Sequence, residues 1–145
     1  LLKHQADIIY TSYAVINDQG VKVCEDFLVP ADTDLNLMLK KNVIGCSTVL
    51  LSRSSVKEHR FSTVFYHEDY VLWLELLNSG FKAKGCTDVL TGWRYMEKTR
   101  SANKLKSAKE RWNIYRNFMK LSFMKSLYYF AVYMVSGLIK YKKKQ

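Results

Sequence analysis

The sequence predicts an α/β fold, in which a sheet with flanking helices is followed by a C-terminal helical tail. Segments rich in β-branched and aromatic residues recur at positions 6–16, 43–52 and 81–93, as expected for strands. Two later segments, 101–120 and 126–140, have the apolar period of a helix. Strands interspersed with helices in this order indicate one mixed sheet with helices packed around it.

The first predicted strand belongs to a β-hairpin. The turn-forming residues Asn17-Asp18-Gln19-Gly20 follow it, and a short apolar run at 21–23 would form the returning arm. Further along, Asp32 or Asp34 can cap a short helix over 35–41 by accepting hydrogen bonds from its free backbone N–H groups.

The middle of the chain predicts a strand and then a helix. Segment 43–52 reads as a buried strand, and its Gly45 would let another backbone or a ligand approach closely. Segment 68–78 predicts a helix that ends at Ser79-Gly80. Four large apolar side chains share one face of this helix: Tyr70, Trp73, Leu74 and Leu77.

Glu68 and Asp69 stand in the first turn of that helix, directly after His67. Carboxylates there can simply offset the positive end of the helix dipole, which contributes roughly 0.3–1 kcal/mol each. Alternatively, a carboxylate held at a helix N-terminus beside a cleft can act as a general base, because the packed helix fixes its position. Periodicity does not distinguish the two roles.

Composition limits the class of protein. The chain has 145 residues, of which 48% are apolar, enough for one domain with a core. Cys24, Cys46 and Cys86 are odd in number and far apart, which argues against a disulfide framework or a zinc knuckle and favours a reducing cytosol. The first residues lack the pattern of a signal peptide, and Leu1 reads as an internal position, so we expect a piece of a longer protein.

Charge divides the chain into two regions. Residues 1–97 carry ten basic and twelve acidic residues, whereas residues 98–145 carry thirteen basic residues and one acid, Glu110. We therefore expect two parts, a first part over 1–97 and a basic, aromatic helical tail over 98–145. The high density of basic residues over 98–145 implies a polyanionic partner: nucleic acid, anionic lipid or a phosphorylated substrate.

Three ordered motifs carry a resemblance to a known family. They are NVIGCSTVLLSR at 42–53, HEDYVLWLELLNSGFKA at 67–83, and DVLTGWRY at 88–95 with SANK at 101–104. Together they resemble the second half of bacterial family 2 glycosyltransferases, which have the GT-A fold. The resemblance implies part of an inverting enzyme that moves a sugar from a nucleotide-diphosphate sugar to a saccharide or lipid-linked acceptor in cell-surface polysaccharide synthesis.

The resemblance also implies roles for individual residues. Asp69 would be the general base that takes the proton of the acceptor hydroxyl, with Glu68 orienting the acceptor or capping the helix. The other expected substrate contacts are Gly45, Cys46, Ser47, His67, Arg94 and Lys104. For His67 a structural role is an open alternative, and Arg94 and Lys104 fit ion pairs as well as phosphate contacts.

Such enzymes hold a divalent cation, Mg²⁺ or Mn²⁺, with a D-x-D motif in a donor-binding half. Asp32-Thr33-Asp34 has these letters but precedes a helix, which is typical of capping. The cation ligands are therefore expected upstream of this chain, and the chain alone is expected to be inactive. His67-Glu68 does not begin an H-E-x-x-H zinc motif, because the last position is Val71.

The tail allows two structural interpretations. Residues 126–139 carry no charge and are flanked by lysines, but fourteen residues are too few to span a bilayer, which needs about 20. They can form an interfacial helix on an anionic membrane. Alternatively, four of their apolar side chains simply pack on the catalytic domain: Leu127, Phe130, Val132 and Leu138.

These features predict a cytoplasmic protein that is peripheral on the inner face of the plasma membrane, with some tendency to self-associate through an unpaired sheet edge. A nucleic-acid-binding module is a second hypothesis, in which Trp112, Tyr115 and Tyr128 would stack on bases. A non-catalytic scaffold is a third.

Overall fold

The computed structural model describes residues 6–96 and 103–142, with side chains as far as Gly137. Four strands form one mixed sheet in the order β2-β4-β1-β3. Their bounds are β1 Ile8–Ile16, β2 Asp32–Thr33, β3 Val49–Leu51 and β4 Ala83–Arg94. The central strands β1 and β4 run parallel, while β3 and β2 pair antiparallel with β1 and β4 respectively. The predicted α/β class is confirmed, and the sheet is compatible with part of a GT-A fold.

The described residues form four α-helices: α1 Leu35–Lys40, α2 Glu68–Asn78, α3 Lys104–Asn113 and α4 Phe123–Lys142. A π-helical turn, Ile114–Phe118, continues α3. The chain then changes direction at Lys120, whose φ of 51° is the left-handed conformation that ends a helix. Among the described residues, no helix combines the length and apolar content that crossing a membrane requires.

Helix α2 is the centre of the core, and its bounds agree with the sequence prediction. Six of its eleven residues are buried: Tyr70, Val71, Leu72, Trp73, Leu74 and Leu76. They pack in the same cluster as Ile8 and Tyr10 of β1. Each large side chain of this kind stabilises the fold by roughly 1.5–3 kcal/mol relative to exposure. Burial is so extensive that α2 has little freedom to move.

The prediction of a buried strand over 43–52 is wrong for most of its length. Only Val49–Leu51 is a strand, and it lies at the edge of the sheet with Leu50 59% exposed. Upstream of it, Cys46–Thr48 forms a 3-10 turn. The reason is local: both the amide and the hydroxyl of Thr48 donate to the carbonyl oxygen of Gly45, at 2.9 and 2.8 Å. These bonds curl the backbone out of the strand conformation.

The predicted hairpin is present in shortened form. The amide of Val23 donates to the carbonyl of Val15 at 2.9 Å, but the returning arm pairs with β1 only through isolated bridges. The predicted cap of the short helix is confirmed for Asp34, whose carboxylate accepts a 2.7 Å hydrogen bond from the amide of Leu37.

The basic tail packs against the rest of the chain. Ile114 and Tyr115 are fully buried in the core cluster, and the Tyr115 hydroxyl donates to the carbonyl of Leu39. Both predicted tail helices are present. The boundary drawn between residues 97 and 98 lies outside the described residues, as do Ser101 and Ala102 of the SANK motif.

Candidate active site

Asp69 lies at the N-terminal end of α2 and lines a cleft of about 470 Å³. The side chain is half-buried, and its Oδ1 accepts a 2.7 Å hydrogen bond from the amide of Tyr70. The next residues of α2 are fully enclosed in the core, so the carboxylate stands at the end of an immobilised helix. A preorganised carboxylate beside an open cleft is what general-base chemistry requires.

The opposite wall of the cleft is the loop that follows α1. It contributes seven lining residues: Asn42, Val43, Ile44, Gly45, Cys46, Ser47 and Thr48. The predicted contact residues Gly45, Cys46 and Ser47 therefore share a cleft with Asp69. A Cβ at Gly45 would be 3.5 Å from the Thr48 side chain, an ordinary contact, so the surrounding protein alone does not require glycine there.

A buried hydrogen bond joins α2 to α1 behind the cleft residues. The hydroxyl of Tyr70, the residue after Asp69, donates to the carbonyl oxygen of Met38 in α1 at 3.0 Å. Both groups are buried, where a bond of this kind is costly to lose. The bond therefore holds the Asp69 end of α2 against the helix from which the facing loop departs.

Aromatic side chains form a third part of the cleft that sequence analysis did not identify. They are Tyr13 in β1, Trp93 in β4, and Phe27, which lies between β1 and β2 in the chain. The Tyr13 and Phe27 rings stack with centroids 4.8 Å apart, and the Trp93 ring lies 6.3 Å from that of Tyr13. Burial raises the pKa of the Tyr13 hydroxyl, so it stays a neutral donor and acceptor. The sequence places Tyr13 and Trp93 in two predicted strands, but no local pattern in it indicates that these rings meet.

The electrostatics of the cleft are acidic. Partial burial raises the pKa of the Cys46 thiol above its ordinary value, and the carboxylates of Asp69 and Glu68 raise it further. The thiol therefore stays protonated near neutral pH, a state in which it is a poor nucleophile. The carboxylates of Asp69 and Glu68 lie near enough to the 3-10 turn to oppose ionisation of this thiol.

The remaining predicted contacts are not among the residues that line the cleft. His67 is half-buried just before α2, with its ring 5.1 Å from that of Tyr66. Arg94 donates to the backbone carbonyls of Asn17 and Asp18, at 2.9 Å to Asn17, so it braces the turn after β1. The roles of Glu68, His67 and Arg94 in substrate binding stay predictions.

Lys104 is the first residue of α3, directly after the N-cap Asn103, and is exposed. Its predicted contact with a phosphate also stays a prediction.

The described residues contain no cluster of potential metal ligands. Over 6–96 and 103–142, no three His, Cys, Asp or Glu side chains come close enough together to hold a metal ion. The Asp32-Thr33-Asp34 motif has two carboxylates. The Asp34 carboxylate caps α1, and the Asp32 carboxylate accepts a hydrogen bond from the Lys84 ammonium. Both carboxylates are thus used by the fold in ways that do not resemble ligation of a diphosphate-bound cation.

Two of the three tail rings expected to stack on bases are engaged in packing. Tyr115 is fully buried, and the Trp112 ring lies 5.5 Å from that of Phe130 and 5.8 Å from that of Phe123. Only Tyr128 is exposed. The arrangement does not favour the nucleic-acid hypothesis.

Comparison with known proteins gives consistent relatives. The chain is 32% identical over 143 residues to WfgD of Escherichia coli, a UDP-Glc:alpha-D-GlcNAc-diphosphoundecaprenol beta-1,3-glucosyltransferase, covering 97% of this chain and 54% of WfgD. WfaP of Escherichia coli, which has the same description, is 33% identical over 91% of this chain and 51% of its own length. TuaG of Bacillus subtilis, named for teichuronic acid biosynthesis, is 29% identical over 92% of this chain and 53% of its own length.

No family model and no solved structure gives a significant match. The chain spans about half the length of the curated relatives it matches. The resemblance identified from the three motifs is therefore confirmed by relatives that match nearly the whole chain. This chain is homologous to about half of each of these bacterial glycosyltransferases.

Proposed function

We propose that this chain is the acceptor-side part of an inverting family 2 glycosyltransferase with the GT-A fold. The complete enzyme would transfer a sugar from a nucleotide-diphosphate sugar to a lipid-linked or saccharide acceptor in cell-surface polysaccharide synthesis. The observation that carries the proposal is the position of Asp69, which lines one cleft together with Gly45, Cys46 and Ser47.

The relatives favour this donor and acceptor class. WfgD and WfaP are described as using UDP-glucose and a diphosphoundecaprenol-linked acceptor. An acceptor of that kind presents a sugar ring with hydroxyl groups at the end of a long lipid. The cleft of about 470 Å³ is large enough for a sugar ring, and its lining combines the aromatic residues Trp93 and Tyr13 with polar residues. Apolar walls with a few polar groups are typical of sites that orient a small ligand.

In the proposed reaction, Asp69 accepts the proton of the acceptor hydroxyl. At the same time, the oxygen of that hydroxyl forms a bond to the anomeric carbon of the donor sugar. The bond from that carbon to the phosphate oxygen breaks on the opposite face, and the nucleoside diphosphate leaves with the electron pair. Holding the hydroxyl in line for attack contributes to the rate in addition to the proton transfer. The side chains of the loop 42–48 would supply the hydrogen bonds that orient the acceptor.

The family resemblance implies Mg²⁺ or Mn²⁺ at the donor diphosphate. Since the described residues form no cluster of three potential ligands, we assign the cation to the donor-binding half of the complete enzyme. A cytoplasmic enzyme is the proposal for location, because three free cysteines suit a reducing compartment.

Turnover of the native protein that contains this chain provides the test. UDP-glucose and a diphosphoundecaprenol-linked N-acetylglucosamine are suitable first substrates, because relatives are described with them. Replacing Asp69→Asn keeps the size of the side chain but removes its basicity, so kcat should fall by roughly 10²–10⁴. A variant that retains more than about a tenth of the wild-type kcat contradicts the assignment of Asp69 as the base.

A further inference from the structure

Helix α4 has an inner face that fixes it to the protein. Ser126 is fully buried, and the Tyr129 hydroxyl donates to Asn36 of α1 at 3.0 Å. The Tyr133 ring lies 4.5 Å from the guanidinium carbon of Arg111. Phe130 packs on Trp112, as described above. These contacts, spread over two turns of the helix, define which side of α4 points outward.

The outer face is apolar and exposed. Six large apolar side chains on it are 44–71% exposed: Phe123, Met124, Leu127, Tyr128, Met134 and Val135. At 100° per residue they fall within an arc of about 140°. No charged residue interrupts 126–139, so the face extends along the helix as a continuous stripe. Contiguous exposed apolar surface of this kind marks an interaction site.

Lysines lie beside this stripe. Lys120, three residues before α4, and Lys125, in its first turn, are exposed, and the Lys40 ammonium of α1 lies 6.0 Å from the ring centroid of Tyr128. Lys140 and Lys142 fall in the last turn by sequence. The charged residues around the stripe are therefore mainly basic, and the single acid of 98–145, Glu110, lies on α3.

The apolar stripe and the lysines beside it favour one kind of binding partner over another. Pairing with a second copy would bring two positively charged rims together, since both ends of the helix carry lysines, and like charges oppose such contacts. An anionic lipid surface satisfies the apolar stripe and its basic rim at the same time.

We propose that the outer face of α4 binds the surface of an anionic lipid bilayer, with the helix lying parallel to the membrane plane. The apolar side chains enter the boundary between headgroups and acyl chains, and the lysines contact the phosphates. The inference rests on the two faces of α4 and on charge, not on the proposed catalytic function. It resolves the two interpretations of the tail, because α4 packs on the domain with one face and leaves the other for lipid.

The test is co-sedimentation of the full 145-residue chain with large vesicles of phosphatidylcholine, alone or with 30% phosphatidylglycerol. We expect binding to the mixed vesicles that exceeds binding to the neutral ones by at least tenfold. Leu127→Ser with Val135→Ser should weaken binding to the mixed vesicles at least about tenfold, because two partly inserted apolar side chains are lost. Lys120→Gln with Lys125→Gln should weaken it by about fivefold per lysine.

A matched control replaces the same residue types elsewhere on the surface. Leu28 and Val64 are 68% and 83% exposed, and both lie outside α4. Leu28→Ser with Val64→Ser should leave vesicle binding unchanged within twofold. Circular dichroism of each variant verifies that helix content is retained, as expected for exposed positions.

Three results would overturn the proposal. One is equal weakening by the control pair, and another is complete loss of binding in 0.5 M salt, which would show a purely electrostatic contact without insertion. The third is a dimer, measured by light scattering without lipid, that becomes a monomer in the Leu127→Ser, Val135→Ser variant. That result would assign the stripe to an interface between copies.

Discussion

The guanidinium of Arg111 lies over the ring of Tyr70, with its carbon Cζ 3.7 Å from the ring centroid. Tyr70 follows Asp69 in the chain, and the same guanidinium carbon lies 4.5 Å from the ring centroid of Tyr133 in α4. Arg111 is thus the layer between the helix that carries the candidate base and the helix that carries the apolar stripe. Its side chain is 7% exposed, and its Nη1 is buried without a hydrogen-bond partner.

We expect Arg111 to stabilise the fold mainly by filling space between the two rings. The attraction of a desolvated cation to an aromatic face, about 2 kcal/mol, is opposed by the cost of burying the charge. Arg111→Ala would leave a cavity and should lower the free energy of unfolding by about 2–4 kcal/mol. Arg111→Met, which fills the space without charge, should cost less than about 1.5 kcal/mol.

Urea unfolding of both variants measures these differences. An equal loss for alanine and methionine would show that charge, rather than packing, is the contribution of Arg111.

Gly85 and Gly137 should respond to alanine in opposite directions. A Cβ at Gly85 would lie 2.0 Å from the carbonyl oxygen of Pro30, a backbone atom that cannot move aside cheaply. Gly85→Ala should therefore destabilise the protein by about 2 kcal/mol or more. Gly137 lies in α4 with no heavy atom within 4 Å of such a Cβ, so Gly137→Ala should stabilise by roughly 0.5–1 kcal/mol. Thermal unfolding of the pair checks both signs, and equal shifts would contradict the close approach of Pro30.

The sequence predicted helix α2 well because its signals are local. The apolar spacing, the acids in the first turn and the Ser79-Gly80 stop all lie within a few residues of each other, and Gly80 has the positive φ of 88° that glycine permits. The strand predicted over 43–52 was wrong for most of its length because the apolar run resembles a strand. The hydrogen bond from the Thr48 hydroxyl to the Gly45 carbonyl instead stabilises a 3-10 turn.

The aromatic part of the cleft could not be predicted for a different reason. Tyr13 and Trp93 meet only because β1 and β4 pair in parallel, with Tyr13 opposite Thr91 after two register shifts. Residues 13 and 93 are 80 positions apart, and no local pattern specifies their register. The position of Asp69 at a helix N-terminus was predictable; its neighbours across the cleft required the sheet.

Stability should depend on pH through His67. Burial lowers the pKa of His67, and nearby Arg111 lowers it further, although Asp69, Glu110 and Glu68 act in the opposite direction. The unfolded chain, with an ordinary pKa of about 6.5, therefore binds the proton more readily than the folded chain. The contribution of neutral His67 is complete above about pH 6.5 and is lost as the pH falls through the lower folded value.

His67→Gln should accordingly flatten the decline in melting temperature between about pH 7 and pH 5, a range that spans the ordinary histidine pKa. Melting curves of the two proteins at matched ionic strength measure this. Parallel declines would show that His67 has no part in the pH dependence.

The 145-residue chain should not bind nucleotide sugars tightly by itself. Its described residues offer no cluster of three metal ligands to neutralise a diphosphate. Isothermal titration with UDP-glucose in Mg²⁺ or Mn²⁺ should give no measurable heat of binding, whereas the longer native protein should bind under the same conditions. Micromolar affinity for the 145-residue chain would contradict the assignment of the donor site to another part of the enzyme.

Asp69 and Glu68 should differ in catalysis while resembling each other in stability. Both carboxylates lie in the first turn of α2, so neutralising either removes one interaction with the helix dipole and should cost no more than about 1 kcal/mol. Only the Asp69 carboxylate lines the cleft, so Asp69→Asn should reduce kcat by roughly 10²–10⁴ and Glu68→Gln by much less. A pair of simple helix caps would instead give two small stability losses with kcat nearly unchanged. Turnover of the native enzyme, measured together with thermal unfolding of both variants, therefore separates a fixed general base from a cap.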